Sequence, residues 1–518
     1  MNCRLLLLMV ITGILAAAEP PAPGTVLWRL DPAVARSAVQ LPAGAVWSDD
    51  GPDDSSCLRV ALPAGTPGSL SVRFPIDLRP WRGSRIRLLC QARAEAVSKP
   101  AEPYNGVKCM LHWRSPGGGE QWHNENGVFG SFAWRQLSCT VAVDEAAGDG
   151  DITLGLQDSH GTVSFADVRI VAERVKPVRP EPVADAPPPF RGHDLPRLRG
   201  VMSANRFREE DFAELARWKV NLVRWQLTRN WGAANTDRDL PEYDRWLDGR
   251  LDELALALAS AQRHGIRLVV DLHSPPGGRL PDGTMAMTLE KPYQDHFVLC
   301  WQRIATRFKG HPAIWAFDLI NEPTQNRPSP AGVADWLGVQ VQAARAVRAI
   351  DPDTAISITV DGWGGPDGFT WMTPVDVPRV IYQVHMYMPH VYTHQGVNSA
   401  MPDPLLAYPG AIGGRLVDRV ALRAMLAPVR EFQRAYNVHI YVGEFSAIRW
   451  APGADRYLAD CIDLFEEYGW DWSYHAFREW PGWSLEHADL PADKDRHVPA
   501  TVETARAAVL KAWFAKNR

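Results

Sequence analysis

The spacing of hydrophobic and polar residues changes once along this chain of 518 residues, close to residue 195. From residue 22 to 172, short segments alternate apolar and polar residues and are separated by Gly and Pro, as in residues 69–74, 85–90, 140–143 and 162–165. Alternation with a period of two predicts half-buried β-strands. Several short strands in succession favour an all-β sandwich.

Beyond residue 195, continuously hydrophobic segments alternate with amphipathic helical segments, which predicts βαβ units and a parallel sheet. Gly265, Gly310 and Gly469 each follow a helical segment, as expected at a helix C-terminus. A doubly wound open sheet is the competing architecture, but no glycine-rich phosphate loop follows the first strand. We therefore predict one (β/α)8 barrel in residues 195–518, with strands at residues 198–202, 222–226, 267–272, 314–320, 355–360, 380–385, 439–442 and 471–474.

Two further segments complete the predicted domain organisation. Residues 173–194 contain prolines at 177, 180, 182 and 187–189, a composition typical of a stiff linker. Residues 1–18 contain Arg4, an apolar stretch over residues 5–15 and three alanines before Glu19, the pattern of a cleaved export signal. The alternative is an uncleaved membrane anchor, but the apolar stretch is too short to span a bilayer. We predict a secreted or periplasmic protein with no membrane association once the signal is removed.

Charge and cysteine content restrict the classes of function. A formal net charge of −5 without any basic run argues against a nucleic-acid partner. Export places the cysteines in an oxidising compartment, and Cys57, Cys90, Cys109 and Cys139 predict one or two disulfides among three pairings. Cys300 and Cys461 lie on apolar helix faces and are predicted to be buried. No Cys or His spacing predicts a zinc site, and no metal or other cofactor is implied.

Polar residues interrupt the hydrophobic pattern at the carboxyl ends of the predicted strands. In a (β/α)8 barrel these ends meet at one mouth, where active sites are built. Two glutamates, Glu322 and Glu444, end strands four and seven. Paired carboxyl groups predict glycosidic bond cleavage, because one can protonate the leaving oxygen while the other attacks carbon or activates water. The remaining polar residues are Arg224 in strand two and Asp271, His273, Asn321, His385 and Tyr387 at later strand ends.

Each of these residues has a simpler structural interpretation. Asn321 and Glu322 could cap a helix, and Gly443-Glu444 could form a surface turn. Arg224 could belong to an ion pair inside the barrel. His273 and His385 could bind a metal, although no third ligand follows at a suitable spacing. Trp363, after strand five, could stack on substrate or pack its own loop.

Taken together, the motifs resemble glycoside hydrolase family 5, a family of retaining enzymes with a (β/α)8 barrel. The resemblance covers residues 195–518. It is carried by Val223-Arg224, by residues 270–278 and 314–323 (the latter ending in Asn321-Glu322-Pro323), by residues 384–387, and by residues 441–445 around Glu444.

The resemblance implies a role for each matching residue. Glu322 would be the acid/base and Glu444 the nucleophile, while Asn321 would bind the 2-hydroxyl of the sugar in the −1 subsite. Tyr387 and Arg224 would orient and ionise Glu444, and His273 and His385 would line the subsite. The family usually places a tryptophan after strand eight, where this sequence has His475. We predict that Trp480 supplies the stacking platform instead, and the loops at residues 274–296 and 387–409 are predicted to wall the cleft.

The N-terminal domain resembles the jelly-roll carbohydrate-binding modules found beside polysaccharide hydrolases. Trp113, Trp122, His123 and Trp134 are the candidates for a sugar-stacking face. A sandwich that binds nothing is an equal alternative, because aromatic residues also fill cores.

The sequence thus predicts a retaining glycoside hydrolase that acts on a β-linked polysaccharide or oligosaccharide, most simply as an endo-β-1,4-glucanase. A mannanase or an exo-β-glycosidase is the alternative among enzymes. A non-catalytic carbohydrate-binding protein on a degenerate barrel is the alternative outside catalysis. The sequence makes no prediction of sugar specificity or oligomeric state.

Overall fold

The structure is a computed structural model that describes residues 24–65, 68–115, 119–203, 206–491 and 495–517. The predicted export signal, residues 1–18, lies outside these ranges. The chain divides into two compact units, Met1–Val178 and Arg179–Arg518. Among the described residues, no helix is long and apolar enough to cross a membrane.

The first unit contains two antiparallel sheets whose facing sides form one core. One sheet has the strand order β2-β3-β10-β5-β8, with β1 also paired to β10, and the other has the order β4-β9-β6-β7. Leu88, Leu111, Leu154 and Val163, from strands of both sheets, are buried together. One short helix, α1 (Pro32–Ala38), is described among the strands β1 (Val26–Arg29), β2 (Ala45–Ser48), β3 (Cys57–Leu62), β4 (Leu70–Asp77), β5 (Arg85–Val97), β6 (Gly106–Ser115), β7 (Gly119–His123), β8 (Gly130–Ala142), β9 (Asp149–Gln157) and β10 (Gly161–Arg174).

The predicted disulfides of this unit are not formed in the structure, where all four cysteines are free thiols. The Cys57 thiol donates to Asp50 Oδ1 at 3.1 Å, and the Cys139 thiol donates to the His123 carbonyl at 3.5 Å. Cys57, Cys90 and Cys109 are buried. The alternating pattern places these cysteines as small apolar side chains of the strands, a role that spacing alone does not distinguish from cross-linking.

The second unit contains the predicted (β/α)8 barrel. Eight parallel strands among the described residues close in the order β11-β12-β13-β14-β15-β16-β19-β20. A hairpin of β17 and β18 is inserted after the sixth of these strands. The strand bounds are β11 (Arg199–Met202), β12 (Leu222–Gln226), β13 (Arg267–Asp271), β14 (Ile314–Asp318), β15 (Ala355–Thr359), β16 (Val380–Met386), β17 (Gly410–Ile412), β18 (Arg415–Val417), β19 (Ile440–Phe445) and β20 (Asp471–Tyr474).

Helices cover the outside of the barrel and carry the expected terminal residues. Asp239 caps the N-terminus of α3 by accepting from the Glu242 amide, and Gly265 ends the same helix in the left-handed conformation. The helices are α2 (Glu209–Arg217), α3 (Leu240–His264), α4 (Lys291–Phe308), α5 (Trp336–Ile350), α6 (His390–Thr393), α7 (Arg419–Met425), α8 (Ala427–Tyr436), α9 (Ala454–Tyr468) and α10 (Ala505–Phe514), with short 3-10 helices at Pro52–Asp54, Arg79–Trp81, Ala286–Thr288 and Pro366–Trp371.

A buried carboxylate closes the amino-terminal end of the barrel. Asp471, the first residue of β20, accepts from the Leu198 amide at 2.7 Å. Its Oδ2 lies 2.7 Å from the Nε2 atoms of both His193 and His439. The last residues of the predicted linker therefore pack against the barrel, and they fix β11 beside β20 where the sheet closes.

Candidate active site

The carboxyl ends of the barrel strands bring the predicted site residues together. Arg224 lies within β12 and Glu444 within β19, while Glu322 follows β14. Both glutamates and Arg224 are buried. The barrel topology produces this convergence, because parallel strands all end at the same rim.

Arg224 is the centre of a buried hydrogen-bond network. Its guanidinium donates to Glu444 Oε1 at 2.6 Å, to Asp318 Oδ2 at 2.8 Å and to Asn321 Oδ1 at 3.0 Å. Asp271 Oδ2 lies 3.1 Å from the same group. Burial raises the pKa of Asp318 to about 6, even though Arg224 opposes this shift. The network contains the interior ion pair that was the alternative interpretation of Arg224. It also fixes the position of the Glu444 carboxylate.

The surroundings of Glu444 favour its ionised form. The Tyr387 hydroxyl donates to Oε2 at 2.8 Å, so both carboxylate oxygens have a donor. Burial opposes ionisation, but the electrostatic interactions with His385, His475 and Arg224 outweigh it and hold the pKa of Glu444 well below its usual range. A buried carboxylate that stays charged and is held from two sides is suited to attack carbon.

Glu322 lies across the pocket from Glu444. One oxygen of each carboxylate and one nitrogen of His385 all lie within 4.8 Å of one another. His385 Nδ1 is 3.0 Å from Glu322 Oε1 and 3.8 Å from Glu444 Oε2. The Glu322 backbone has a left-handed φ of 47°, which turns the chain sharply at the end of β14. These facing oxygens of the two carboxylates are thus closer than the roughly 6.5–9.5 Å between carboxyl groups that an inserted water molecule requires.

Asn321 and His273 form a second line of contacts behind the glutamates. Asn321 Nδ2 is 3.1 Å from His273 Nε2, and His273 Nδ1 is 2.7 Å from Asp271 Oδ2. Because Arg224 also binds Asn321 and Asp271, these three side chains and Arg224 form one continuous network. Asn321 is oriented by side-chain partners and does not act as a helix cap.

The end of β20 places His475, rather than Trp480, beside the glutamates. His475 is partly buried, with 12% of its side chain exposed; its Nε2 lies 2.7 Å from Glu479 Oε2, and its ring centre is 6.1 Å from that of Tyr387. The Trp480 ring packs on Trp450 and Trp483, and Trp483 in turn contacts His475 and Tyr387. The ring of Trp483 therefore lies between Trp480 and the side chains beside the two glutamates, so the stacking platform predicted for Trp480 stays a prediction.

A cleft of about 350 Å³ extends from His273 along the loops that follow β12 and β13. The rings of Trp231 and Trp363 line it and are half-exposed, at 52% and 46%. The Arg279 guanidinium lies 5.5 Å from the centre of the Trp231 ring and 4.6 Å from that of Trp363. The rings of Trp231 and Trp363 thus form two aromatic walls of the cleft on the side away from the glutamates.

Sequence reasoning missed several residues of this site, namely Trp231, Arg279, Asp318, Glu479 and Trp483. Trp231 follows a predicted strand end, a position that could have identified it. Arg279 and Trp483 lie in loops, where no periodicity indicates which side chain turns inward.

Three groups of side chains among the described residues have the spacing of metal ligands. Glu322, His385 and Glu444 form one, but Arg224 and Tyr387 already occupy the oxygens of Glu444. His193, His439 and Asp471 form another, beside the positive charges of Arg191 and Arg197. The third, Asp244, His296 and Cys300, lies on helices α3 and α4. His273 is in none of these groups, and it contacts Asp271 and Asn321 instead.

Comparison with known proteins agrees with this geometry. Residues 189–479 match the family model "Cellulase (glycosyl hydrolase family 5)". Endoglucanase C of Acetivibrio thermocellus is 27% identical over 295 residues, which are 51% of this chain and 83% of that protein. Cellodextrinase A of Ruminococcus flavefaciens is 23% identical over 319 residues, which are 60% of this chain and 88% of that protein.

Among solved structures, the endoglucanase of the hyperthermophile Thermotoga maritima aligns with a TM-score of 0.48 and 21% identity, over 62% of this chain and 100% of that one. The family model covers more than half of the chain and includes all five strand ends that carry the predicted polar residues, among them the one that carries Glu444. The chain therefore belongs to glycoside hydrolase family 5 and is a glycoside hydrolase.

Proposed function

We propose that this enzyme cleaves β-linked glucan by double displacement, with Glu444 as nucleophile and Glu322 as acid/base. The observation that carries the proposal is the approach of the two carboxylates to within 4.8 Å, with Glu444 held by Arg224 and Tyr387. Carboxyl groups about 5–5.5 Å apart are the arrangement of retaining enzymes, because the nucleophile then reaches the anomeric carbon directly, with no room for a water molecule between the two.

The first step exchanges one bond at the anomeric carbon for another. Glu444 attacks this carbon while Glu322 gives its proton to the glycosidic oxygen, so the leaving sugar departs as a neutral alcohol and a glycosyl ester remains on Glu444. In the second step Glu322 takes a proton from water, the water oxygen attacks the same carbon, and Glu444 leaves as a carboxylate. Two inversions retain the configuration.

Asn321 is the proposed partner of the sugar 2-hydroxyl in the −1 subsite. Its side chain is fixed by Arg224 on one side and His273 on the other, and Glu322 is its neighbour in the chain. Hydrogen bonds to this hydroxyl strengthen in the transition state of glycosidases. Fixing the amide before substrate binds lowers the cost of that interaction.

The substrate we propose is a β-1,4-glucan, cleaved within the chain. The half-exposed rings of Trp231 and Trp363 provide stacking faces for successive sugars beyond the catalytic pair. The endoglucanase and cellodextrinase names of the relatives favour glucan over mannan. Product sizes from a panel of defined glucans, mannans and xylans distinguish these choices, and release of monomers alone would indicate exo action.

Replacement of the nucleophile tests the mechanism. We expect Glu444→Ala to abolish hydrolysis of an aryl β-cellobioside, because no glycosyl ester can form. Added azide should restore part of the cleavage and yield a glycosyl azide of inverted configuration. If Glu444→Ala kept the activity of the unaltered enzyme, Glu444 would not be the nucleophile.

Replacement of the acid/base separates substrates by leaving group. We expect Glu322→Ala to lose far more activity on cellohexaose than on a dinitrophenyl β-cellobioside, because a good leaving group departs without protonation. Equal losses on the two substrates would identify a different acid.

Export is also proposed, from the composition of residues 1–18. Removal of the signal after Ala18 predicts a mature chain that begins at Glu19. N-terminal sequencing of protein recovered from the periplasm or the medium tests this, and an intact Met1 would contradict it.

A further inference from the structure

Three side chains with the chemistry of metal ligands meet between helices α3 and α4, outside the candidate active site. Asp244 lies on α3, and His296 and Cys300 lie on α4. His296 and Cys300 are four residues apart, so they face the same side of their helix. Because the third side chain comes from another helix, no spacing along the sequence indicates this group.

The separation of the ligand atoms matches a tetrahedral zinc ion. Asp244 Oδ1 is 3.0 Å from His296 Nε2, and the carboxylate oxygen, the imidazole nitrogen and the Cys300 sulfur all lie within 4.8 Å of one another. Zinc bonds to oxygen, nitrogen and sulfur are about 2.0–2.3 Å long, so neighbouring ligand atoms stand roughly 3–4 Å apart. The group therefore closes on an ion with small side-chain movements, and a water molecule completes four ligands.

The three side chains differ in their access to solvent. The exposed fraction is 39% for the Asp244 side chain, 14% for His296 and 2% for Cys300. An ion can therefore enter past the carboxylate, while the sulfur lies where water is excluded. Exclusion of water strengthens the attraction between a cation and its ligands.

The types of ligand select among the common cations. Ca²⁺ and Mg²⁺ prefer sets of oxygen ligands, whereas imidazole and thiolate suit Zn²⁺. Burial raises the pKa of the Cys300 thiol, so the sulfur keeps its proton until a cation replaces it. Binding of Zn²⁺ breaks the S–H bond, forms a Zn–S bond and releases the proton to water.

One positively charged side chain already contacts this group. The Arg303 guanidinium is 3.3 Å from Asp244 Oδ1, and it also pairs with Asp248, one turn further along α3. Arg303 is 39% exposed. It can therefore leave Asp244 to a metal ion and keep its ion pair with Asp248.

We propose that Asp244, His296 and Cys300 bind one Zn²⁺ ion, which cross-links α3 to α4. The site lies near the start of both helices, which follow the loops after β12 and β13. Tyr243, the neighbour of Asp244, donates from its hydroxyl to the Ser274 carbonyl at 2.7 Å, and Ser274 lines the cleft of Trp231 and Trp363. The ion is thus structural and stabilises one wall of that cleft.

Titration of the full-length, chelator-treated protein with Co²⁺ tests the site, because Co²⁺ takes similar ligands and a cobalt–thiolate bond gives an absorption band in the near ultraviolet. We expect this band at one Co²⁺ per chain, and Zn²⁺ should abolish it. Cys300→Ala should lose the band, and His296→Gln should weaken Co²⁺ binding at least tenfold. Cys461→Ala is the matched control and should keep the band, because Cys461 is a buried thiol of α9 that belongs to none of the three metal-ligand groups among the described residues.

Thermal unfolding provides a second measurement that does not depend on folding of the Cys300 variant. Zn²⁺ at a hundredfold excess over its Kd should raise the Tm of the parent by at least about 2 °C and leave that of His296→Gln unchanged. Equal shifts in the two proteins would overturn the proposal. So would the absence of a thiolate band in the parent, a band that survives Cys300→Ala, or its equal loss from Cys461→Ala.

Discussion

At the scale of single residues, His475 is the difference from the usual family pattern that most changes the candidate active site. The family usually has a tryptophan at this strand end, which offers an uncharged stacking face. Here a partly buried imidazole faces Glu479, Glu444 and Glu322, with His394 and Trp483 also nearby. Although burial opposes protonation, the three carboxylates raise the pKa of His475. These carboxylates therefore favour the protonated, positively charged form of His475 at a strand end where the family has a neutral ring.

That charge should extend the activity of the enzyme towards acidic pH. His475 favours the ionised form of Glu444, so His475→Gln should raise the pKa of Glu444. Because the proposed attack requires ionised Glu444, we expect the acidic limb of the kcat/KM profile to move to higher pH, by on the order of one unit. The profile is measured on an aryl β-cellobioside.

His394→Gln provides the matched control. Burial lowers the pKa of His394 to about 3, so this neighbouring histidine is uncharged over most of the same pH range. Its replacement should leave the position of the acidic limb unchanged, even if kcat falls. Equal shifts in the two variants would show that His475 acts through packing and not through charge.

At the scale of elements, the loop after β13 is joined by hydrogen bonds to the segment that follows β14. Arg279 donates to the carbonyls of Asn321 at 3.1 Å and Glu322 at 2.9 Å, and to Thr324 Oγ1 at 2.6 Å. The same guanidinium lies against the rings of Trp231 and Trp363. Burial lowers the pKa of Arg279 to about 10, so it remains charged at neutral pH. One side chain thus connects the tryptophan-lined cleft to the backbone that carries Glu322.

Arg279→Met should therefore misplace Glu322 while keeping most of the side-chain bulk. We expect kcat on cellohexaose to fall about 10- to 100-fold, because small displacements of a catalytic group cost this much. The loss on a dinitrophenyl β-cellobioside should be smaller, since that substrate needs little protonation.

Arg327→Met is the control for this variant. Arg327 belongs to the loop after β14 and pairs with Asp282 at 2.6 Å on the surface. Its replacement should leave both rates near those of the parent. If Arg279→Met lost activity equally on both substrates, Arg279 would act on substrate binding and not on the acid.

At the scale of the whole molecule, the barrel depends on a buried charge at the end opposite to the active site. Asp471 binds the Leu198 amide, His193 and His439, and so joins the first and last strands. Burial opposes its ionisation, but the contacts with His439 and His193 hold the pKa of Asp471 well below its usual range. Burial lowers the pKa of His439, whose neutral form is therefore the one favoured in the fold.

Both shifts predict loss of stability in acid. A histidine whose folded pKa lies below its ordinary value of 6.5 contributes full stability above that pH and loses it as the pH falls. A depressed carboxyl pKa adds a second loss below about pH 4. Residual activity after heating, measured from pH 8 to pH 4, should decline steadily.

Asp471→Asn should destabilise the barrel by about 3–5 kcal/mol at neutral pH, because it leaves buried donors without their charged partner. The remaining stability should depend less on pH below about pH 4. Asp463→Asn, which removes an exposed partner of Arg419, is the control and should change the stability by less than about 1 kcal/mol. Similar effects of the two substitutions would contradict the role of Asp471.

The sequence by itself determined the order and nearly the bounds of the barrel strands. The predicted ranges 222–226 and 471–474 agree with β12 and β20, and the other six differ by one or two residues at an end, apart from 439–442, which the structure extends to Phe445. Strands buried on both faces are continuously hydrophobic, so local pattern is sufficient to find them. The glutamates and Arg224 could be predicted for the same reason, because they interrupt that pattern at strand ends.

Only the tertiary structure decided which loop residues reach the site. Arg279, Trp231 and Trp483 converge on the cleft from segments without a repeating period, and His475, the first residue after β20, lies closer to the glutamates than Trp480 does. The free cysteines and the metal-ligand group of helices α3 and α4 likewise depend on how sheets and helices pack. Local hydrophobicity fixes where a strand lies, whereas the direction of a loop side chain is set by contacts between residues distant in the sequence.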